Sequence, residues 1–181
     1  MKKSLYFLAI IPPEDISIIV TALKTEAKTK FGSKHALKSP PHITIVPPFW
    51  LAEDQLLGLE AVITDSVKSQ EIFSLNLNGF SCFTPRVIYI SNSLSNELAN
   101  FQQNIFRKSA LFHNKSLKKN RLFTPHMTVA FKDLDPGKFA AAWDYFSAKS
   151  IDLRFQVEGL YLLKHQAKRW QITKSFEFQS E

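Results

Sequence analysis

One short strand-forming string is written twice in this chain, as PHITIVPPF at 41–49 and as PHMTVAF at 125–131, about half a chain apart. Five His and nine Thr in 181 residues give on the order of 0.25 His-x-Thr triplets by chance, so one copy carries no weight. Two copies, each preceded by Pro and each with apolar residues at the alternate positions, should arise less than about once in a thousand such chains. Side chains alternate between the faces of a strand. His42, Thr44 and Val46 are therefore expected on one face, with Ile43 and Ile45 behind them. In the second copy His126, Thr128 and Ala130 share a face, backed by Met127, Val129 and Phe131.

The surrounding elements repeat as well. A strand over 3–11 leads into a helix over 14–31, which carries Ile16, Val20, Leu23 and Ala27 at helical spacing. That helix has acids at its start, lysines near its end and Gly32 as its stop. The first motif strand, 42–49, is followed by a helix over 53–69 and by strands over 73–83 and 86–91. The order then recurs: helix 94–112, motif strand 126–131, and helix 136–148 with Asp135 as N-cap and Pro136 at its first position. Strands over 151–164 and 169–178 finish the chain. Two rounds of α-β-α-β-β, approximately 14–91 and 94–178, predict an α+β fold duplicated about a pseudo-two-fold axis. The expected architecture is one bilobal domain over 1–181: two antiparallel sheets facing a central cleft, with helices on the outer faces.

With 45% hydrophobic residues and five Gly, the composition is that of a globular chain and excludes a disordered or collagen-like one. A lone cysteine, Cys82, excludes an internal disulfide and a Cys-based metal site. No segment reaches the ~18 apolar residues of a membrane span. The apolar run after Lys2 and Lys3 is cut short by Pro12 and Pro13, which reads as a first strand and not as a secretion signal. These features predict a cytoplasmic monomer. A net charge of +7 favours a polyanionic partner such as RNA or a nucleotide.

Twin His-apolar-Thr-apolar strands in a duplicated α+β chain resemble the 2H phosphoesterase superfamily, nearest to its bacterial 2′-5′ RNA ligase and RNA 2′,3′-cyclic phosphodiesterase branch. The resemblance runs from the first strand, LYFLAIIP, to the closing RWQITKSFEF, and both motifs are intact. It implies a bilobal fold with a central cleft, no metal and no cofactor, and cleavage or formation of 2′-phosphoester bonds. His42, Thr44, His126 and Thr128 are the catalytic residues it implies. The branch often carries Arg about three residues past the second motif Thr, where this chain reads TVAFKD with Phe131 and Lys132. It tends to carry Ser and Tyr in the final hairpin, where this chain has His165 and Trp170. Both departures bear on the substrate more than on the chemistry.

The chemistry also follows from the residue types. Opening a cyclic phosphodiester needs a base for the attacking water and an acid for the departing ribose oxygen, and histidine serves as either near neutrality. Two threonine hydroxyls can donate to the non-bridging phosphate oxygens. A zinc site on His42 and His126 would lack a third ligand, since His35, His113 and His165 show no ligand spacing. Basic stretches precede both motifs: Lys34 and Lys38 before the first, and Lys115, Lys118, Lys119 and Arg121 before the second. Lys38, Lys119, Arg121 and Lys132 are candidates for holding flanking phosphates. Phe49 is the first candidate for stacking on a base, with Trp50, Phe83 and Phe123 as others. Two further readings stay open at this point: a non-catalytic RNA- or nucleotide-binding module, and a cyclic phosphodiesterase of a small nucleotide.

Overall fold

The computed structural model describes residues 2–113 and 122–179. In chain order they form β1 (Lys3–Ile10), α1 (Glu14–Phe31), β2 (Ile43–Ala52), α2 (Leu56–Val67), β3 (Phe73–Phe83) and β4 (Val87–Asn92). Then follow α3 (Asn96–Lys108), β5 (His126–Ala130), α4 (Phe139–Ser147), β6 (Asp152–Val157), β7 (Gly159–Gln166) and β8 (Arg169–Glu177). The helix ends obey their local chemistry. Gly32 closes α1 at φ 80, and the Ser95 hydroxyl accepts the Leu98 N–H at the start of α3. Asp135 accepts the Gly137 N–H at 2.8 Å, capping the 3-10 turn that leads into α4.

The α+β class holds, but the two expected sheets are one. Eight antiparallel strands run in the order β6-β3-β4-β5-β2-β1-β7-β8, and the halves join where β2 meets β5 at Ile43 and Met127. The two motif strands are thus neighbours at the centre of the sheet. Each half-sheet draws on both chain halves, 14–91 and 94–178: β3 and β4 lie with β5 and β6, while β1 and β2 lie with β7 and β8. The strand expected over 151–164 is two strands, broken at Glu158. That one residue joins positions six strands apart, which in a flat sheet would be roughly 30 Å. The sheet therefore curls until its distant strands approach. Gly159 sits at this junction, where a Cβ would come within 2.9 Å of the Phe176 carbonyl oxygen.

The four helices of the described residues pack on one face. Val20 of α1, Ile63 of α2, Phe101 of α3 and Phe146 of α4 share one core with Leu8, Ile43, Ile90 and Met127 of the sheet. Burying each such large side chain stabilises the fold by about 1.5–3 kcal/mol. A smaller cluster, Phe7, Ala9 and Leu163 with Tyr161 and Trp170, lies on the opposite, helix-free face.

The duplication is visible in the strand registers. Beside the first motif, Ile10 pairs with Ile43, Ala9 with Thr44 and Leu8 with Val46. Beside the second, Ile90 pairs with Met127, Tyr89 with Thr128 and Ile88 with Ala130. Both registers slip by one residue immediately after the motif threonine, a β-bulge in the same place twice. The bulge corrects the expected facing of Val46 and Ala130. Each follows a buried neighbour into the core and does not share a face with the motif threonine. Phe131, expected to back the second strand, lies beyond its end as a half-buried ring against His35.

Candidate active site

Each motif histidine is aimed by the two residues before it. Pro41 and Pro125 lack an N–H and restrict the preceding residue, Pro40 or Thr124, to extended backbone. The carbonyls of those residues are thereby brought to the rings. His42 Nδ1 donates to the Pro40 carbonyl at 2.8 Å, and His126 Nδ1 donates to the Thr124 carbonyl at 2.7 Å. A carbonyl only accepts, so the ring proton resides on Nδ1 in both cases. Nε2 is left as the working atom: a base when the ring is neutral, a donor when it is charged.

The Ile43–Met127 pairing fixes how the motifs meet. Continued one residue each way, an antiparallel register sets His42 beside Thr128 and Thr44 beside His126. The two histidines are then diagonal neighbours on one face, with a spacing of about 7–8 Å. That separation leaves room for a tetrahedral phosphorus between the two Nε2 atoms, with a threonine hydroxyl on either flank. All four side chains are half-buried.

Burial also sets the charge state. It pushes the His42 pKa down to about 4, with smaller downward contributions from the Lys24 and His126 charges, and the Pro40 hydrogen bond opposes the shift. His126 is lowered by the same cause, burial, against an upward contribution from its bond to Thr124. Because a charge on His126 disfavours one on His42, the pair favours a single proton over two. Lys24 is itself buried, its pKa lowered to about 7, and its Nζ donates to the Ser39 carbonyl at 3.1 Å, next to the Pro40 that holds His42.

A carboxylate ties the motifs together. Asp133, just past β5, accepts the Lys34 and His35 N–H groups at 2.9 and 2.8 Å and the Ser33 hydroxyl at 3.0 Å. The Ser33 oxygen in turn accepts the Phe131 N–H. The end of one motif strand thus anchors the 3-10 turn His35–Lys38 that leads into the other.

Of the proposed substrate contacts, Lys38 and Lys132 lie at this rim, where both charges lower the pKa of His35 behind the larger effect of burial. Lys119 and Arg121, with Lys115 and Lys118, fall outside the described residues. Phe49 is a correction. A second register shift, between Val46 and Phe49, returns it to the core face of Ile43 and Ile45, 2% exposed against His113, where no base can reach it. Phe123 packs on the same core, and Trp50 is exposed opposite Leu5, well along β2 from the motif. Of the four aromatic candidates, Phe83 alone reaches the site, 5.2 Å from the His126 ring.

Sequence reasoning missed Phe7 and Tyr89, whose rings lie 4.9 Å from His42 and His126 respectively. A signal existed. Strands LYFLAI and VIYIS are apolar on both faces, although only one face is covered by helices. A hollow of about 470 Å³, lined by Ile19, Leu23, Phe80 and Ile151, is elsewhere, on the helix side, and contains none of these residues.

A protein of Geobacillus kaustophilus named "Putative phosphoesterase" is 23% identical over 174 residues, 94% of each chain. A Bacillus licheniformis protein of the same name is 26% identical over 129 residues, 70% of each. In fold, the chain is similar to E. coli LigT solved with 3′-AMP (TM-score 0.69, 15% identity, 99% of this chain and 100% of that one). It is similar too to the protein TT0787 of Thermus thermophilus (TM-score 0.67, 17% identity, 98% and 99%). The family model of the 2′-5′ RNA ligase superfamily matches residues 12–169, nearly the whole chain including both motifs. The doubled motif, the paired imidazoles and this match agree, and the chain belongs to the 2′-5′ RNA ligase superfamily of 2H phosphoesterases.

Proposed function

We propose that the protein is a metal-independent phosphodiesterase acting on 2′,3′-cyclic phosphates or 2′-5′ linkages of RNA or oligonucleotides, with His42 as base and His126 as acid. The observation that carries this reading is the matched pair of Nδ1-anchored imidazoles, each beside the other motif's threonine. His42 is held neutral well below pH 7, which suits a base. Its Nε2 takes a proton from water as the water oxygen bonds to phosphorus. The P–O bond on the opposite side breaks, and the departing ribose oxygen takes the His126 Nε2 proton, leaving a phosphomonoester and a free hydroxyl. With a ribose hydroxyl in place of the water, the same pair joins that hydroxyl to a cyclic phosphate: His42 takes its proton as its oxygen bonds to phosphorus, and the ring P–O bond breaks with its oxygen protonated by His126. Thr44 and Thr128 donate to the non-bridging oxygens as charge gathers there. That E. coli LigT has been solved with 3′-AMP, NADP+ and ATP supports a nucleotide as the ligand.

The test is incubation in EDTA with 2′,3′-cyclic nucleotides and 2′-5′-linked oligomers, with the product phosphate located by mass and NMR. The expected result is one regiospecific phosphomonoester at an undiminished rate. Turnover that disappears with the chelator removes the metal-independent mechanism, and binding with no turnover of any substrate identifies a binding module instead.

A further inference from the structure

Both motif imidazoles rest on aromatic rings, and the rings come in pairs. On one flank His42 lies against Phe7, and Trp170 meets Phe7 edge-on with centroids 4.6 Å apart. On the other flank His126 lies against Tyr89, and Phe83 meets Tyr89 at 4.6 Å. The inner rings are spent on packing: Phe7 is 2% and Tyr89 6% exposed. The outer rings are not, for Phe83 is 42% exposed and Trp170 is half-buried. The flanks match in kind, although Trp170 comes from the outermost strand β8 and Phe83 from β3. An apolar ring left in water beside a reacting histidine forgoes burial energy that a stacked base would recover.

We propose that Phe83 and Trp170 are stacking platforms for two nucleobases, one on each side of the reacting phosphorus, so that the site is built for a phosphodiester with a nucleoside on both sides. The inference rests on the phosphoesterase reading for the chemistry but not for the grip. Stacking tolerates any base, because every base has a π-face, so the two platforms select for the presence of a second nucleoside and not for its sequence. Exposed Arg86 lies in the β3–β4 turn three residues after Phe83. Its charge suits a strand that continues past the reacting phosphate on the His126 flank.

The test uses a 2′-5′-linked dinucleotide and its two singly abasic counterparts, with affinity read by calorimetry in a His42→Asn/His126→Asn protein that turns nothing over. Removing one base is expected to weaken binding by about 5- to 150-fold, the range of one stacking contact. Phe83→Leu should weaken the intact dinucleotide by a similar factor but leave unchanged the counterpart lacking the base on the His126 side. Trp170→Leu should do the same for the other counterpart, and Phe83→Tyr and Trp170→Phe should restore affinity. Equal losses on intact and abasic ligands, or no loss with either base removed, overturn the proposal. Because affinity is the readout, wild-type protein inert toward every substrate would refute the phosphoesterase reading and leave this result to stand or fall separately.

Discussion

His42→Ala and His126→Ala are each expected to lower kcat by about 10²–10⁴-fold, the usual worth of a positioned acid or base. The pH profiles should separate the two roles. Burial holds His42 near pH 4 and also lowers His126 below its ordinary value. The reactive form, His42 neutral with His126 charged, therefore peaks on the acid side of neutrality in kcat/KM, which reports the free enzyme. Rate should rise with pH as His42 loses its proton and fall as His126 loses its own. His42→Ala removes the rising limb and His126→Ala the falling one. Because both side chains are half-buried on the helix-free face, circular dichroism and Tm should stay close to wild type. Either variant retaining wild-type kcat would contradict the assignment.

Thr44→Val and Thr128→Val come next in expected size. Valine keeps the shape and the strand preference of threonine but removes the hydroxyl. If each hydroxyl donates to a non-bridging oxygen mainly as charge builds, kcat should fall by about 10²–10³-fold per donor while KM changes little. Thr44→Ser and Thr128→Ser should recover most of the loss. A change confined to KM would make the threonines ground-state binders of the phosphate instead.

Much of this site is legible in the sequence because it depends on strand alternation and on Pro–His contacts, which are local. The four motif residues, the Asp135 cap and the Gly32 stop all follow from nearest neighbours along the chain. What was illegible is set by partners far away. The bulges that bury Val46 and Ala130 come from how β1 and β4 pair with the motif strands. Nothing in VPPFW announces a register slip. The joining of two sheets into one rests on the Ile43–Met127 pair, a contact that no periodicity predicts. The break at Glu158 had a local sign in Gly159, but an isolated glycine in an apolar strand marks a close approach without naming what approaches. The aromatic backing of the histidines was readable only as an unexplained excess, a strand apolar on a face that no helix covers.

The central claim is that both imidazoles face a single phosphorus, and NMR titration of their ring nitrogens tests it without relying on turnover. In the free protein His42 should titrate near pH 4 and His126 below the ordinary histidine value, with the proton on Nδ1 in both neutral rings. One equivalent of bound 2′-AMP should raise both titrations together, since one phosphate then lies beside both Nε2 atoms. A bound 2′-AMP that moves one ring and leaves the other where it was would show the two histidines in separate environments and contradict the account.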